Sequence, residues 1–311
     1  MPFNRRIFRN SLIFLGLFLI LLLVGLTLVR LWWESSFFAG YVAGLPLIPD
    51  VLETREEGPL SIEKVRFQSQ VDEMIPAEFY FPKDATEELP CVVVLYGAGN
   101  GMADVKGLAQ RFISARCCVL APEIFGLGER KASDPEGSST GVLATREKFT
   151  TTVIDGQRCI DFLHTRLEVD AEKINLIGVN LGAIAGTTVM SLEPRYRAAI
   201  LVWGGGNLSK IFSVKGLTGS EGFFQDLAFF LLSPIEPLNH VRRIAPRPVL
   251  FQNAEKDEMI PRACVEELYN KAGTPKDIKW YDCGHQEGIS PDMIDRMVND
   301  QISWLKSVKA M

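Results

Sequence analysis

The 311-residue sequence has no surplus of basic residues, because 33 Lys and Arg stand against 38 Asp and Glu and give a net charge of -5. A nucleic-acid-binding protein needs clustered positive charge to neutralise phosphates, so this balance argues against a nucleic-acid partner. Histidine is scarce as well. Three histidines without clustered acids argue against a metal site. The triplet Gly204-Gly205-Gly206 lacks the G-x-G-x-x-G spacing and a downstream acid, so we expect no dinucleotide cofactor.

The six cysteines are scattered and show no metal-ligand spacing. An even count permits disulfides in an exported domain, but sequence alone cannot pair them. Cys91, Cys117 and Cys118 fall in apolar runs that are typical of buried strands, where a small thiol packs like any other apolar group. We therefore expect these three to be free thiols in the core.

The N-terminus carries one long apolar run. Arg5, Arg6 and Arg9 precede an uncharged stretch over residues 10–29, and Trp32 and Trp33 follow it. About 20 apolar residues span the hydrocarbon core of a bilayer, and tryptophan suits its interface. Residues 1–33 are therefore predicted to be cytoplasmic arginines and a transmembrane anchor, with residues 11–33 in contact with lipid. The arginines before the run favour a cytoplasmic N-terminus and a globular domain outside the cytoplasm.

A cleavable signal peptide is the alternative interpretation of this run. Its apolar region would normally be only about 7–15 residues long, with small residues at the cleavage site. Val42-Ala43-Gly44 matches such a site poorly and lies far downstream. The length of the run therefore favours an anchor that is retained.

The rest of the chain divides into a linker and one large domain. Residues 34–60 contain Pro46, Pro49 and Pro59 and are predicted to be a linker, and residues 61–311 show strands alternating with helices. This alternation predicts an α/β fold with a mainly parallel central sheet flanked by helices. The predicted strands are 64–70, 76–81, 91–96, 117–121, 173–178, 198–203, 248–252 and 278–281, and the predicted helices are 105–115, 143–166, 181–192, 262–271 and 292–307.

An insertion at about residues 207–238 interrupts this alternation. It contains the apolar run from Phe223 to Leu232, which is too short to span a bilayer. Three interpretations remain open, namely a lid over a pocket, a surface that touches the membrane, and a helix packed on the sheet. Long insertions in such folds commonly carry substrate-selecting structure.

The segment Gly178-Val179-Asn180-Leu181-Gly182 lies between a predicted strand and a predicted helix. This is the context of a nucleophile elbow, G-x-Nu-x-G, whose sharp turn holds the nucleophile above the sheet. The glycines Gly178 and Gly182 are needed because side chains there would collide. Asn180 therefore occupies the nucleophile position.

An acid and a histidine follow the elbow in the order that this fold uses. Asp257 comes after the strand 248–252 and His285 after the strand 278–281, so we expect His285 to act as the base and Asp257 to fix its tautomer. The loop 97–101 after the strand 91–96 can offer a backbone N–H to an oxyanion. The N–H groups of Ala98 and Leu181 are the predicted donors.

The segments 91–130, 174–187 and 234–286 resemble the dienelactone hydrolase and acyl-esterase branch of the α/β-hydrolase superfamily. The motifs that carry the resemblance are Pro237-Leu238-Asn239-His240, Arg247-Pro248-Val249-Leu250-Phe251 and Asp257-Glu258-Met259-Ile260-Pro261. It covers roughly residues 75–308 and implies cleavage of small acyl esters or thioesters through an acyl-enzyme, without a cofactor. The family has Ser or Cys at the position of Asn180.

Four explanations of Asn180 remain open, because an amide nitrogen is not a nucleophile. The protein is a natural pseudoenzyme that uses its pocket for binding, or an altered form of an active serine enzyme. Alternatively, Asn180 hydrolyses to Asp and supplies a carboxylate nucleophile, or His285 activates water directly. A literal G-x-S-x-G match at residues 137–141 follows a polar loop rather than a buried strand, so we reject it as a second elbow. A membrane-bound binding or scaffolding module is the alternative from a different functional class.

Overall fold

The computed structural model describes residues 5–97, 102–126, 128–133, 141–285 and 289–311. The chain separates into two units, Met1–Gly40 and Tyr41–Met311. The loop residue Ala98 and most of the polar stretch 137–141 lie outside the described residues, so the predictions made for them cannot be compared with the structure.

The first unit consists of the helix α1, Arg5–Ser36. Its part from Ile13 to Ser36 has a mean hydropathy of 2.6, and it is the one helix in the described ranges that is long and apolar enough to cross a bilayer. A signal sequence passes the same test of length and composition. The structure therefore agrees with a membrane span here and leaves the orientation of the helix as a prediction.

The second unit is built on one sheet of nine strands, counted over the described residues. The spatial order is β1-β2-β3-β5-β4-β6-β7-β8-β9. The pairs β1–β2, β2–β3 and β3–β5 are antiparallel, and every pair from β5 onward is parallel. The strands are β1 Asp50–Glu57, β2 Leu60–Gln68, β3 Met74–Pro82, β4 Leu89–Tyr96, β5 Cys118–Pro122, β6 Val169–Val179, β7 Ala199–Val202, β8 Val249–Lys256 and β9 Lys276–Gly284.

The predicted fold class is confirmed, since helices connect the parallel strands and cover the sheet. β4 is apolar over almost its whole length because a strand between two layers of helices is buried on both faces. The helices of the second unit are α2 Met102–Ser114, α3 Val142–Leu163, α4 Leu181–Leu192, α5 Leu208–Phe212, α6 Gly219–Leu231, α7 Arg262–Lys271 and α8 Pro291–Ser307.

The sequence of α8 shows why these helices form where they do. The hydroxyl of Ser290 accepts a hydrogen bond from the Met293 N–H, and proline occupies the first helical position, where its missing N–H costs nothing. Met297, Val298, Trp304 and Leu305 recur at helical spacing and are all buried. The apolar stripe therefore turns this helix onto the sheet.

The segment 34–60 is not only a linker. It contains the end of α1 and the edge strand β1, which pairs with β2 over Asp50–Glu57. The outer face of this edge strand is exposed and its residues are mostly charged. Charge on an edge strand discourages pairing with other chains, and the same charge makes the strand look like a loop in sequence.

Buried Arg158 fixes the stretch before β1 to the rest of the second unit. Its guanidinium donates to the carbonyls of Leu45, Pro46 and Gln68 and forms an ion pair with Asp161 at 2.8 Å. These contacts give the buried cation one carboxylate and three carbonyl acceptors. The chain is therefore ordered against the domain well before the first strand.

All six cysteines are free, and the prediction for Cys91, Cys117 and Cys118 is confirmed because all three are buried. Cys91 on β4 lies opposite Cys118 on the parallel strand β5. Burial raises the pKa of the Cys91 thiol, which keeps it protonated. These thiols fill space in the core.

Candidate active site

Four residues at the candidate site each directly follow a strand of the sheet. Asn180 follows β6, Trp203 follows β7, Asp257 follows β8 and His285 follows β9. Parallel strands end at the same edge of the sheet, so these four positions converge there. The topology explains how residues more than 100 positions apart can form one site.

Asn180 forms a tight turn between β6 and α4. Its backbone has φ 56° and ψ -118°, a positive φ that non-glycine residues rarely adopt. Its N–H donates to the Val202 carbonyl at 2.9 Å, and its carbonyl accepts from the N–H of Ala183 at 2.9 Å. The turn therefore has the strained geometry expected of a nucleophile elbow.

The two glycines beside the elbow are required by close approach. A Cβ on Gly178 would lie 2.4 Å from the Gly182 carbonyl oxygen, and a Cβ on Gly182 would lie 2.0 Å from that of Leu95. Gly97 is also close, since its Cβ would meet the Leu181 nitrogen at 2.9 Å. Side chains at these positions would push α4 away from β4 and β6.

His285 and Asp257 form a buried pair. The His285 Nδ1 lies 2.9 Å and 2.8 Å from the two carboxylate oxygens of Asp257, and both side chains are 6% exposed. The N–H groups of Met259 and Ile260 donate to the same carboxylate. Burial acts to raise the pKa of Asp257, but the hydrogen bonds from His285 and Ile260 outweigh it and hold that pKa below its usual value.

Asn180 completes a hydrogen-bonded row of three side chains. Its Nδ2 lies 3.1 Å from the His285 Nε2. Because an amide NH₂ can only donate, the Nε2 accepts and the ring proton sits on Nδ1, where it donates to Asp257. This is the tautomer in which a histidine can take a proton from a neighbouring nucleophile. The structure thus brings together the three residues predicted from sequence.

Leu181 is the first residue of α4, so its N–H has no acceptor within the helix. It lies beside Asn180 and next to Gly97, at the positive end of the helix dipole. This placement suits the stabilisation of an oxyanion. The second predicted donor, Ala98, lies outside the described residues.

Two residues at the site were not singled out from the sequence. The ring of Trp203 lies 6.1 Å from that of His285, and its buried indole Nε1 has no hydrogen-bond partner among the described residues. The Glu258 carboxylate accepts the backbone N–H of His285 at 3.2 Å. The acidic pair Asp257-Glu258 was a visible signal for the second contact. Trp203 follows an apolar strand, and nothing in the sequence indicated its contact with His285.

A cavity of about 600 Å³ opens beside the elbow, a volume typical of small-molecule sites. Gly97 and Leu181 line it, so it reaches the predicted oxyanion position. The remaining wall is mostly apolar. The predicted insertion contributes Leu208, Ser209, Phe212, Phe229, Leu232, Ser233, Ile235 and Glu236.

Glu236 holds the two ends of this insertion together. Its carboxylate accepts the N–H groups of Asn207 and Leu208 at 2.7 Å and that of Leu238 at 3.1 Å. It therefore caps the start of α5, which carries the cavity residues Leu208 and Phe212.

This sheet, elbow and His–Asp pair define an α/β hydrolase. The family model of the dienelactone hydrolase family matches residues 75–286, which is more than half of the chain. The chain belongs to the dienelactone hydrolase family. Its resemblance to this family, inferred above from sequence motifs, is confirmed.

Known relatives and solved structures agree with this assignment. The hydrolase-type protein YtaP of Bacillus subtilis (strain 168) is 22% identical over 241 residues, which cover 68% of this chain and 79% of YtaP. An acetyl xylan esterase from Paenibacillus sp. R4 matches with a TM-score of 0.71 and 20% identity, over 88% of this chain and 93% of the esterase. Acetyl xylan esterase 1 from Thermoanaerobacterium sp. JW/SL YS485 has the same TM-score at 18% identity, over 87% and 92%. At these identities the structural matches establish a shared fold.

Proposed function

We propose that the second unit binds carboxylic esters or thioesters in the cavity beside Asn180 and that Asn180 prevents their efficient turnover. The observation that supports this is the row Asp257–His285–Asn180, in which the distances suit a catalytic triad and only the nucleophile is missing. In this proposal Leu181, the loop that begins at Gly97 and the apolar wall bind the acyl part of the ligand.

A serine at position 180 would supply what the asparagine cannot. His285 Nε2 would take the hydroxyl proton while Oγ attacks the carbonyl carbon of the ester. The alcohol would leave with that proton, and water would then release the acid from the acyl-enzyme. In Asn180 the nitrogen lone pair is delocalised into the amide, so the first step does not occur at a useful rate.

The test is hydrolysis of p-nitrophenyl esters by the full-length protein in detergent. We expect Asn180→Ser to raise kcat by about 10³-fold or more over the wild type, because removal of a triad nucleophile typically costs on the order of 10⁶. Adding His285→Ala should abolish the gain. Asn270→Ser, the same chemical change at an exposed position of α7, is the control and should leave the rate unchanged.

Two outcomes would contradict the proposal. Wild-type protein that turns over at ordinary enzyme rates, with loss of activity in His285→Ala, would show that Asn180 is no obstacle. The mass of the peptide containing Asn180 would then show whether it has become Asp, since deamidation adds about one dalton. A silent Asn180→Ser variant that still folds would favour a binding module that does not catalyse.

We further propose that α1 anchors the protein in a membrane, with the N-terminus in the cytoplasm and the second unit outside it. Support comes from the apolar composition of Ile13–Ser36 and from the arginines that precede it. An anchored chain should stay with membranes through an alkaline carbonate wash and keep its full mass. A mature chain that begins after α1 would show instead that the segment is a signal peptide.

A further inference from the structure

Helix α6 has an exposed apolar face. Phe223 is 63% exposed, Phe224 65%, Phe230 55% and Leu227 38%, and none of the residues of α6 is buried. At roughly 100° per residue these four side chains fall within about a third of the helix circumference. An amphipathic helix on the surface of a soluble domain normally turns such a face toward the core.

The opposite side of α6 faces the cavity. Phe229 follows Leu227 by two residues, which turns it roughly 200° away from the exposed face. Phe229 and Leu232 line the cavity beside the elbow, and Gln225 accepts the N–H of Val214 at 2.8 Å. The inner side of the helix therefore already has its contacts, while the outer side has apolar groups in contact with solvent.

The segment just before α6 extends the exposed surface. Phe212 is 45% exposed and Val214 62% exposed, and the hydrogen bond from Val214 to Gln225 holds this segment beside the helix. The nearby charges are of both signs, with Glu221 and Asp226 on the helix and Lys215 before it. A partner recognised through this surface is therefore bound by apolar burial rather than by net charge.

We infer that this outer face of α6 lies in the surface of a lipid bilayer, while its inner face forms a wall of the cavity. The inference rests in part on the membrane anchorage proposed above, since an anchored α1 keeps the whole chain at a bilayer. Helices with one aromatic, apolar face commonly sit at the boundary between headgroups and acyl chains. In this arrangement α6 joins the lipid to the cavity, which favours an acyl chain as the apolar part of the ligand.

The test places a tryptophan on the outer face of α6 in full-length protein reconstituted into phosphatidylcholine vesicles with brominated acyl chains. Bromine quenches tryptophan only at lipid depth. We expect the emission added by Phe224→Trp to fall by about half or more, as suits a face buried about 5–10 Å into the interface. Leu167→Trp, at an exposed apolar position outside α6, is the control and should not be quenched.

Phe223→Trp provides a second probe on the same face should the first variant be unstable. Quenching should persist at high salt, because apolar burial is not screened. Emission from both probes that matches the Leu167→Trp control would overturn the inference. A blue shift that depends on the protein-to-lipid ratio, without quenching, would identify a second copy of the chain as the occupant and would also overturn it.

This test is separable from those of the proposed function. Ester hydrolysis by Asn180→Ser reports on the row Asp257–His285–Asn180 and not on the lipid contact of α6. If the chain leaves the membrane in alkaline carbonate, the anchorage proposal fails. If the α6 probes are nevertheless quenched when the vesicles are present, the lipid contact of α6 stands on its own.

Discussion

Replacement of Gly182 by alanine should destabilise the second unit strongly, although alanine is the better helix former. Gly182 is the second residue of α4, and its new Cβ would lie 2.0 Å from the Leu95 carbonyl oxygen and 2.5 Å from the carbon. Leu95 belongs to β4, whose neighbours β5 and β6 hold it on both sides. Neither backbone can yield without loss of sheet or helix contacts.

The magnitude follows from that overlap. An ordinary contact requires α4 to move away from β4 by roughly 1 Å or more, and forced overpacking typically costs about 1–3 kcal/mol or more. The new Cβ would overlap backbone atoms, which cannot rotate away as a side chain can. We therefore expect a cost at the upper end of this range, a loss of about 3 kcal/mol in the free energy of unfolding. This exceeds the roughly 1 kcal/mol that alanine gains over glycine in a helix.

Gly107→Ala in α2 is the matched control. Its Cβ would meet only the Arg111 Nη1, at 3.6 Å, an ordinary contact. We expect this variant to gain about 0.5–1 kcal/mol from helix propensity. The assay is urea unfolding of the full-length protein in detergent, followed by tryptophan fluorescence. A Gly182→Ala variant within 1 kcal/mol of the wild type would refute the close approach of elbow and strand.

Three further predictions concern polar groups that are buried or half-buried. Burial lowers the pKa of His240 below 6.5. The fold therefore keeps its full stability above that pH and loses stability as the pH falls toward the pKa of His240 in the folded protein. Between pH 7.5 and 5.5 the urea midpoint should drop more in wild type than in His240→Gln. Arg158→Met should lower the free energy of unfolding by about 3 kcal/mol, because it removes the ion-pair partner of Asp161 and the donor to the carbonyls of Leu45 and Gln68. Equal urea midpoints would contradict this. Glu236→Ala should release the start of α5 and speed chymotryptic cleavage near Phe212. The cleavage rate of Glu236→Gln should lie between those of Glu236→Ala and wild type. An unchanged cleavage rate would argue against the capping role of Glu236.

The sequence predicted the order of the elements because each carries its own signal. The run at β4 is apolar throughout, and the predicted bounds of α4 and α7 match the structure. Asn180, Asp257 and His285 could be placed together because each follows a predicted strand, and parallel strands end at one edge. Local sequence patterns and one topological rule were therefore enough to predict that Asp257, His285 and Asn180 lie together.

The features that sequence missed depend on tertiary contacts. β1 is charged because it lies at the sheet edge, so its pattern resembles a loop. Trp203 reaches His285 only because β7 lies one strand away from β9, with the parallel strand β8 between them. The apolar run in α6 was equally compatible with a packed helix, a lid and a membrane surface. The exposure of Phe223 and Phe224 argues against a helix that packs this face on the sheet. Sequence periodicity alone does not reveal which face of a helix is exposed.

The fold accommodates asparagine at position 180 as well as it would accommodate a serine. Its Nδ2 occupies the hydrogen-bonding position on His285 that a nucleophile's hydroxyl would take, so no buried nitrogen is left unpaired. The strain of a positive φ, about 1–3 kcal/mol, is a property of the turn and is shared by any non-glycine residue there. Folding stability therefore cannot discriminate between the asparagine and serine forms. The two differ only in the bond they can form with a carbonyl carbon, so the rate of ester hydrolysis is the measurement that distinguishes a binding site from a catalyst.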